Sequence, residues 1–277
     1  MALALNIVGA GHVGRTLGRL FHAHGVFEIQ DVLTRSEASA LDAVAFIGAG
    51  RALAQASNMR PAPVWMLAVG DDAIAPVCVA LATAGLLDDA TVFHCSGAKG
   101  SNELAAASAA GAGVASIHPV RSFADPAAVA AAFTGTWCGV EGDETALALL
   151  APAFTGIGAR LVPIDAAAKT VYHAASVFAA NYLVTVLDAA LRAYAAAGVP
   201  PQVARELAQP LASETLANVF RLGAPAALSG PVARGDMATV ARQHVALQDW
   251  DAPTAQLYEA LVAATLPLAE RKQRGAP

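Results

Sequence analysis

From Leu3 to about Ile164, short apolar runs alternate with longer stretches of helical spacing. "LALNIVGA" leads into "HVGRTLGRLFHAHG", "FEIQDVLTRS" into "EASALDAVAFIGA", "VWMLAVG" into "DAIAPVCVALATAG", and "TVFHCSG" into "SNELAAASAAG". Further runs follow in "GVASIHPV", "GTWCGVEG" and "ARLVPI". None of them alternates apolar and polar residues in period two, so each reads as a strand covered on both faces. The pattern predicts an α/β fold, a doubly wound and mostly parallel sheet wrapped by helices. Beyond Pro163 the spacing becomes helical throughout. "DAAAKTVYHAASVFAANYLVTVLDAALRAYAAAG" predicts one long helix stopped by Gly198, and prolines at 200 and 201 open a second, with a kink or break expected at Pro210. "DMATVARQHVALQDW" and "PTAQLYEALVAATLPLAERK" predict two more. The expected organisation is a sheet domain over residues 1–164 and a helical domain over 165–277.

Composition narrows the function. With 277 residues, 56% hydrophobic and 14% charged, the chain can bury one large core or two moderate ones. A net charge of -5, with no basic run longer than "RK", leaves no footprint for nucleic acid or an anionic membrane and favours a small-molecule substrate. Cys78, Cys95 and Cys138 have neither CxxC nor metal-ligand spacing, so they read as buried reduced thiols of a cytoplasmic protein without a metal site. The N-terminal apolar run ends in Gly-Ala-Gly, too early for a signal peptide. The uncharged stretch between Lys169 and Asp188 carries His173, Ser176, Asn181, Tyr182 and Thr185, and reads as a buried helix of a soluble protein rather than a membrane span. Its apolar residues on more than one face predict a homodimer through the helical domain.

The first βα junction carries the chemistry. Gly9, Gly11 and Gly14 form G-x-G-x-x-G between a strand and a helix: one glycine for the turn, one for backbone approach to a pyrophosphate, one for close packing. His12 and Val13, inside the motif, open a helix whose free N–H groups suit phosphate. Val69 and Gly70, ending "VWMLAVG", are expected to bind the same cofactor. The second strand ends in Thr34-Arg35-Ser36, with no acid to bind ribose hydroxyls, since Asp31 is expected within the strand. Arg35 suits a 2'-phosphate or adenine, and the predicted cofactor is NADP(H). A solvated loop arginine is the plainer alternative.

Three later segments point at the same crevice. Ser96 and Lys99 follow a strand in "VFHCSGAKG", and His118 and Arg121 follow one in "VASIHPVRSF". Lys169 and His173 lie one turn apart on a helix face, with Asn181 two turns on at its margin. Hydride transfer needs one group to give or take a proton and others to hold the substrate. Lys169 or His118 is expected to handle the proton, with Ser96 and His173 orienting it; Lys99, Arg121, Asn181 and Arg234 are expected to bind substrate. Each has a structural alternative: Ser96 a cap, Lys99 a solvated side chain, His118 a turn residue before Pro119, Lys169 and His173 an exposed stripe. Lys169→Met and His118→Asn are each expected to abolish most turnover and to leave NADPH affinity and the melting temperature nearly unchanged. In "LSGPVARGDMATVARQH", Asp236 is expected to cap the helix from Met237; the loop is either purely structural or one from which Arg234 and Asp236 reach the cleft or a partner subunit.

Together "GAGHVG", "LTRS", "CSGAKG", "IHPVRSF", "KTVYHAASVFAANYL" and "SGPVARGD" resemble Rossmann-like proteins with a DUF2520 domain, described as candidate NADP-dependent or F420-like oxidoreductases. Ketopantoate reductases and β-hydroxyacid dehydrogenases are more distantly similar: they open their helical domain with a catalytic Lys and an Asn four residues on, where this chain has Lys169 and His173. Prephenate dehydrogenases are similar at "CSGAKG" and at a catalytic His-Pro, but "RSF" replaces the glycine expected next. Pyrroline-5-carboxylate reductases look similar in architecture and carry a Met-Pro-Asn segment absent here. The resemblance implies an NADP(H)-dependent oxidoreductase acting on a small carboxylate-bearing carbonyl, hydroxy or imino compound. A nucleotide-binding sensor without catalysis is the second reading; a polar cleft at the nicotinamide end favours the enzyme, and an apolar plug the sensor.

Overall fold

A computed structural model describes residues 2–275. They divide into two compact units, 1–180 and 181–277, so the units part further along than the point where helical spacing begins. The first unit runs β1 (Leu3–Val8), α1 (His12–Ala23), β2 (Phe27–Leu33), α2 (Glu37–Ile47), β3 (Arg51–Leu53), β4 (Val64–Leu67), α3 (Asp71–Thr83), β5 (Thr91–His94), α4 (Ala105–Ala109), β6 (Gly113–Pro119), α5 (Pro126–Ala131), β7 (Trp137–Gly142), α6 (Glu144–Gly156), β8 (Arg160–Pro163) and α7 (Lys169–Ala179). Its strands form one sheet in the order β3-β2-β1-β4-β5-β6-β7-β8. All neighbours are parallel except β6 and β7. This is the Rossmann-type sheet the apolar runs predict. The edge strand β3 escaped the sequence reading because three residues carry no period.

Both sheet faces are buried, which explains the missing alternation. Along β4, Val64 and Met66 join one core with Leu17, Phe21 and Phe154, while Trp65 and Leu67 join the other with Ile74 and Leu81. Phe21 sits edge-on to both Phe27 and Phe154, at 5.1 and 5.3 Å. Strand order reverses between β1 and β4, which opens a crevice at their C-terminal ends. Asp31 does lie inside β2, buried between Arg51 and Arg60 at 3.0 and 2.6 Å. Burial raises its proton affinity, but the guanidinium hydrogen bonds outweigh it and hold the carboxyl below its usual range.

The second unit is helical: α8 (Asn181–Ala196), α9 (Pro201–Leu222), α10 (Ala224–Ala227), α11 (Pro231–Arg234), α12 (Met237–Trp250) and α13 (Ala252–Arg274). Three expectations change here. α9 runs through Pro210 without ending. The long first helix is broken at Ala180 (φ -124°, ψ -70°), so Asn181 starts a new helix instead of continuing the face of Lys169 and His173. Its apolar stretch is not buried: Ala166–Ala196 is long and apolar enough to cross a membrane, yet Val171 is 76% exposed and Val184 68%. Apolar spacing shows that a face wants cover, not that the same chain supplies it. Asp236 caps α12 through Thr239 N, as its position suggested.

Candidate active site

The glycine turn is built as its spacing demands. Gly9 has φ +85°, and its N–H donates to Leu33 O at 2.8 Å, tying the turn to the end of β2. A Cβ on Gly14 would meet Gly9 O at 2.4 Å, so only glycine lets α1 pack this close. A Cβ on Gly11 would meet nothing within 4 Å; that backbone faces open space. Gly11 precedes α1 and Gly70 precedes α3, and neither helix has a side-chain N-cap, whereas Ser36 and Asp125 cap α2 and α5. Uncapped N–H groups are what an anion needs. Asp71 and Asp72 fill the first turn of α3, so α1 is the better phosphate site.

A cavity of about 520 Å³ lies at the crevice, within the first unit. Its lining includes Gly11, His12 and Val13 after β1, Val69, Gly70 and Asp71 after β4, and Ser96, Gly97, His118, Arg121, Phe123 and His173. Thr34, Arg35 and Ser36 lie beside the glycine turn rather than in this lining. Thr34 Oγ1 donates to Ser36 O, and Ser36 Oγ accepts from Ser39 N. Arg35 is exposed and forms no hydrogen bond or ion pair among the described residues. Ser96 lines the cavity, but its Oγ accepts from the amides of Ala98 and Lys99, so it also caps its own turn. Lys99 pairs with Glu103 at 3.1 Å, outside the cavity lining. Arg121 donates to Ala132 O and Thr136 Oγ1. Asn181 opens α8 and Arg234 closes α11, both in the second unit.

Two histidines meet over Gly97. Their rings lie edge to face with centroids 5.6 Å apart, and a Cβ on Gly97 would fall 2.2 Å from His173 Nδ1 and 2.8 Å from His118 Nε2. His173 Nδ1 is buried without a hydrogen-bond partner among the described residues. His118 Nδ1 is 3.0 Å from the Tyr172 hydroxyl. Burial, His173 and the Lys169 ammonium push His118 down to about 4 against the opposing pull of Asp71, so its ring is neutral at physiological pH.

Lys169 stands behind this pair. It is 3% exposed, absent from the cavity lining, and donates to Ser116 Oγ and to Glu141 Oε1 at 3.1 Å. Burial lowers its proton affinity, with the Glu141 hydrogen bond opposing. Glu141 also accepts from Ser101 N and Oγ at 2.8 and 2.7 Å. Lys169 is therefore no part of an exposed stripe; off the cavity lining, it ties α7 to β6 and β7. Sequence reasoning missed Glu141, Ser116 and Tyr172. Glu141 had a signal, a single acid inside an apolar strand, but its partner is set by register: Ser116 lies opposite Glu141, and His118 opposite Gly139.

Family models match in two places. A Rossmann-like domain covers residues 1–119, and a domain of unknown function, DUF2520, covers 136–265. The chain joins a Rossmann-like domain to a DUF2520 domain. Among solved structures it is similar to the Thermotoga maritima protein TM1727, at 27% identity and TM-score 0.72, over 97% of this chain and 99% of that one. A candidate NADP oxidoreductase from Bacteroides fragilis matches at 21% identity and TM-score 0.77, over 96% and 98%. Plasmodium falciparum pyrroline carboxylate reductase, with NADP bound, matches at 11% and TM-score 0.61, over 96% and 98%; the last two likenesses are of fold. A search of the curated proteins finds no match.

Proposed function

We propose that this chain is an NADP(H)-dependent oxidoreductase acting on a small carboxylate-bearing carbonyl, hydroxy or imino compound. The observation that carries the reading is the cavity at the strand-order switch, where an uncapped helix N-terminus faces a polar wall of Ser96, His118 and His173. An apolar plug there would favour a sensor. The fold likeness to NADP-bound pyrroline carboxylate reductase supports a nicotinamide cofactor. When bound, the dinucleotide supplies or accepts the hydride. Gly11 and the first N–H groups of α1 would hold its pyrophosphate, Val69 and Gly70 would flank it, and Arg35 would take a 2'-phosphate. His118 exchanges the proton, His173 helps orient it, Arg121 draws the substrate's carboxylate, and Lys169 holds the helix that carries His173. Purified protein incubated with NADPH and a panel of oxo and imino acids should oxidise the cofactor with at least one of them. Tight NADPH binding with no turnover on the whole panel would favour the sensor.

Arg35 tests the cofactor choice. A charge-assisted hydrogen bond contributes about 1.5 to 3 kcal/mol, so Arg35→Ala should weaken NADPH by roughly ten- to a hundred-fold and leave NADH nearly unchanged. Calorimetric titration with both cofactors measures this, and equal losses would remove the 2'-phosphate assignment.

We also propose assembly as a homodimer through residues 165–277. Leu211 and Phe220 on α9, 59% and 87% exposed, join Val184 as large apolar side chains that the chain itself leaves in water. Light scattering at micromolar concentration should give twice the 27.9 kDa chain mass; a monomer would end the idea.

A further inference from the structure

The Tyr172 hydroxyl is held against backbone, since a Cβ on Gly139 would lie 2.5 Å from it. Its one hydrogen-bond partner by full geometry, among the described residues, is His118 Nδ1. The Gly139 amide also approaches the phenol oxygen and pulls its proton affinity down against burial, so it is a donor and no outlet for the phenolic proton. The hydroxyl is half-buried, and among the described residues Nδ1 is the one acceptor in its reach, so the O–H donates to it. A neutral imidazole that accepts at Nδ1 carries its proton on Nε2, the nitrogen beside Gly97 in the cavity wall. The seat of Tyr172 is also secured: Lys169, Tyr172 and His173 occupy positions i, i+3 and i+4 of one helix face, and Lys169 fastens that helix to Ser116, two residues before His118 on the same face of β6.

We infer that Tyr172 is a positioning residue that locks His118 in the Nε2–H form, so that the pair delivers a proton to the oxygen or nitrogen of an acceptor undergoing reduction. This rests on the oxidoreductase reading and deepens it, because it commits the site to carbonyl or imino compounds as substrates. The reduced dinucleotide, when bound, would supply the hydride with both its electrons to the acceptor carbon. The acceptor's oxygen or nitrogen takes the Nε2 proton as that N–H bond breaks. Nδ1 takes the phenolic proton of Tyr172 in the same movement, and the phenolate regains a proton from water. A ring presenting a bare Nε2 would instead suit removal of a proton from an alcohol.

Long-range 1H–15N spectra of the labelled full chain at pH 7 test this without substrate, with His118 assigned by its loss in His118→Asn. The expected result is a protonated Nε2 and an unprotonated Nδ1. In Tyr172→Phe, which keeps the ring and loses only the hydroxyl, the Nε2–H preference should give way to a mixture. A protonated Nδ1 in the unsubstituted chain, or an identical tautomer in both chains, overturns the inference. With an acceptor in hand, Tyr172→Phe should lower the rate of NADPH consumption by at least about tenfold and leave NADPH affinity unchanged. His118 faces His173 and Tyr172 from α7, with Lys169 and Asp71 acting on it at longer range. The neutral pair predicts a rate level from about pH 5 to 8, whereas a rate rising tenfold per unit of acidification would assign the proton to an imidazolium and overturn the relay. Absence of turnover with every acceptor counts against the oxidoreductase reading alone, because the spectra decide the tautomer by themselves.

Discussion

His118→Asn lowers NADPH-linked turnover by about 10² to 10⁴, the usual worth of a positioned proton-transfer group, with NADPH affinity unchanged. The affinity should hold because the dinucleotide contacts assigned here come from α1, Gly70 and Arg35. The same variant has a signature that needs no substrate. Burial lowers the pKa of His118 from the ordinary histidine value of 6.5 to about 4 on folding. Below pH 6.5 the unfolded chain therefore takes up a proton that the folded chain refuses, and stability is lost as pH falls toward 4. At about 1.4 kcal/mol per unit the loss is about 3 kcal/mol. His118→Asn should lack this acid-side loss, which appears as the difference between the two chains' melting temperatures at pH 7 and pH 4.5. A variant with full turnover would move the proton chemistry elsewhere in the cavity.

Lys169→Met should destabilise the first unit by about 3 to 5 kcal/mol, since it leaves Glu141, 6% exposed, as a buried charge without its ion partner. This reverses the expectation of an unchanged melting temperature, which assumed an exposed side chain. The hydrogen bonds from Ser101 to Glu141 remain and moderate the loss. Lys169→Met combined with Glu141→Gln removes the stranded charge, keeps one oxygen to accept from Ser101 N and offers an amide N–H that donates to Ser101 Oγ, so it should recover most of the stability. Thermal melts of the three chains measure both effects. A single variant that melts with the unsubstituted chain would show that the pair carries no net energy. Both Lys169 variants should also lose turnover, because α7 carries Tyr172 and His173 and its first residue is the anchor.

Local chemistry made much of the molecule legible in the sequence. The unalternating apolar runs determine strands covered on both faces, because a half-exposed strand would need polar residues at every second position. The glycine spacing determines the βα turn: Gly9 requires a positive φ and Gly14 a missing Cβ, both demands of a few neighbouring atoms. The cap at Asp236 is equally local. What tertiary structure alone decided is which polar groups meet. Nothing near Lys169 in the chain announces Glu141, 28 residues away, or Ser116, 53 away; the β6–β7 register brings those two side by side. The same distance hides Tyr172 from His118, 54 residues apart. The break at Ala180, which takes Asn181 off the helix of Lys169, also lies beyond periodicity. A pattern of residue types records which side chains avoid water, but a buried charge is paired by whichever strand or helix packs across from it, and that is a property of the assembled fold.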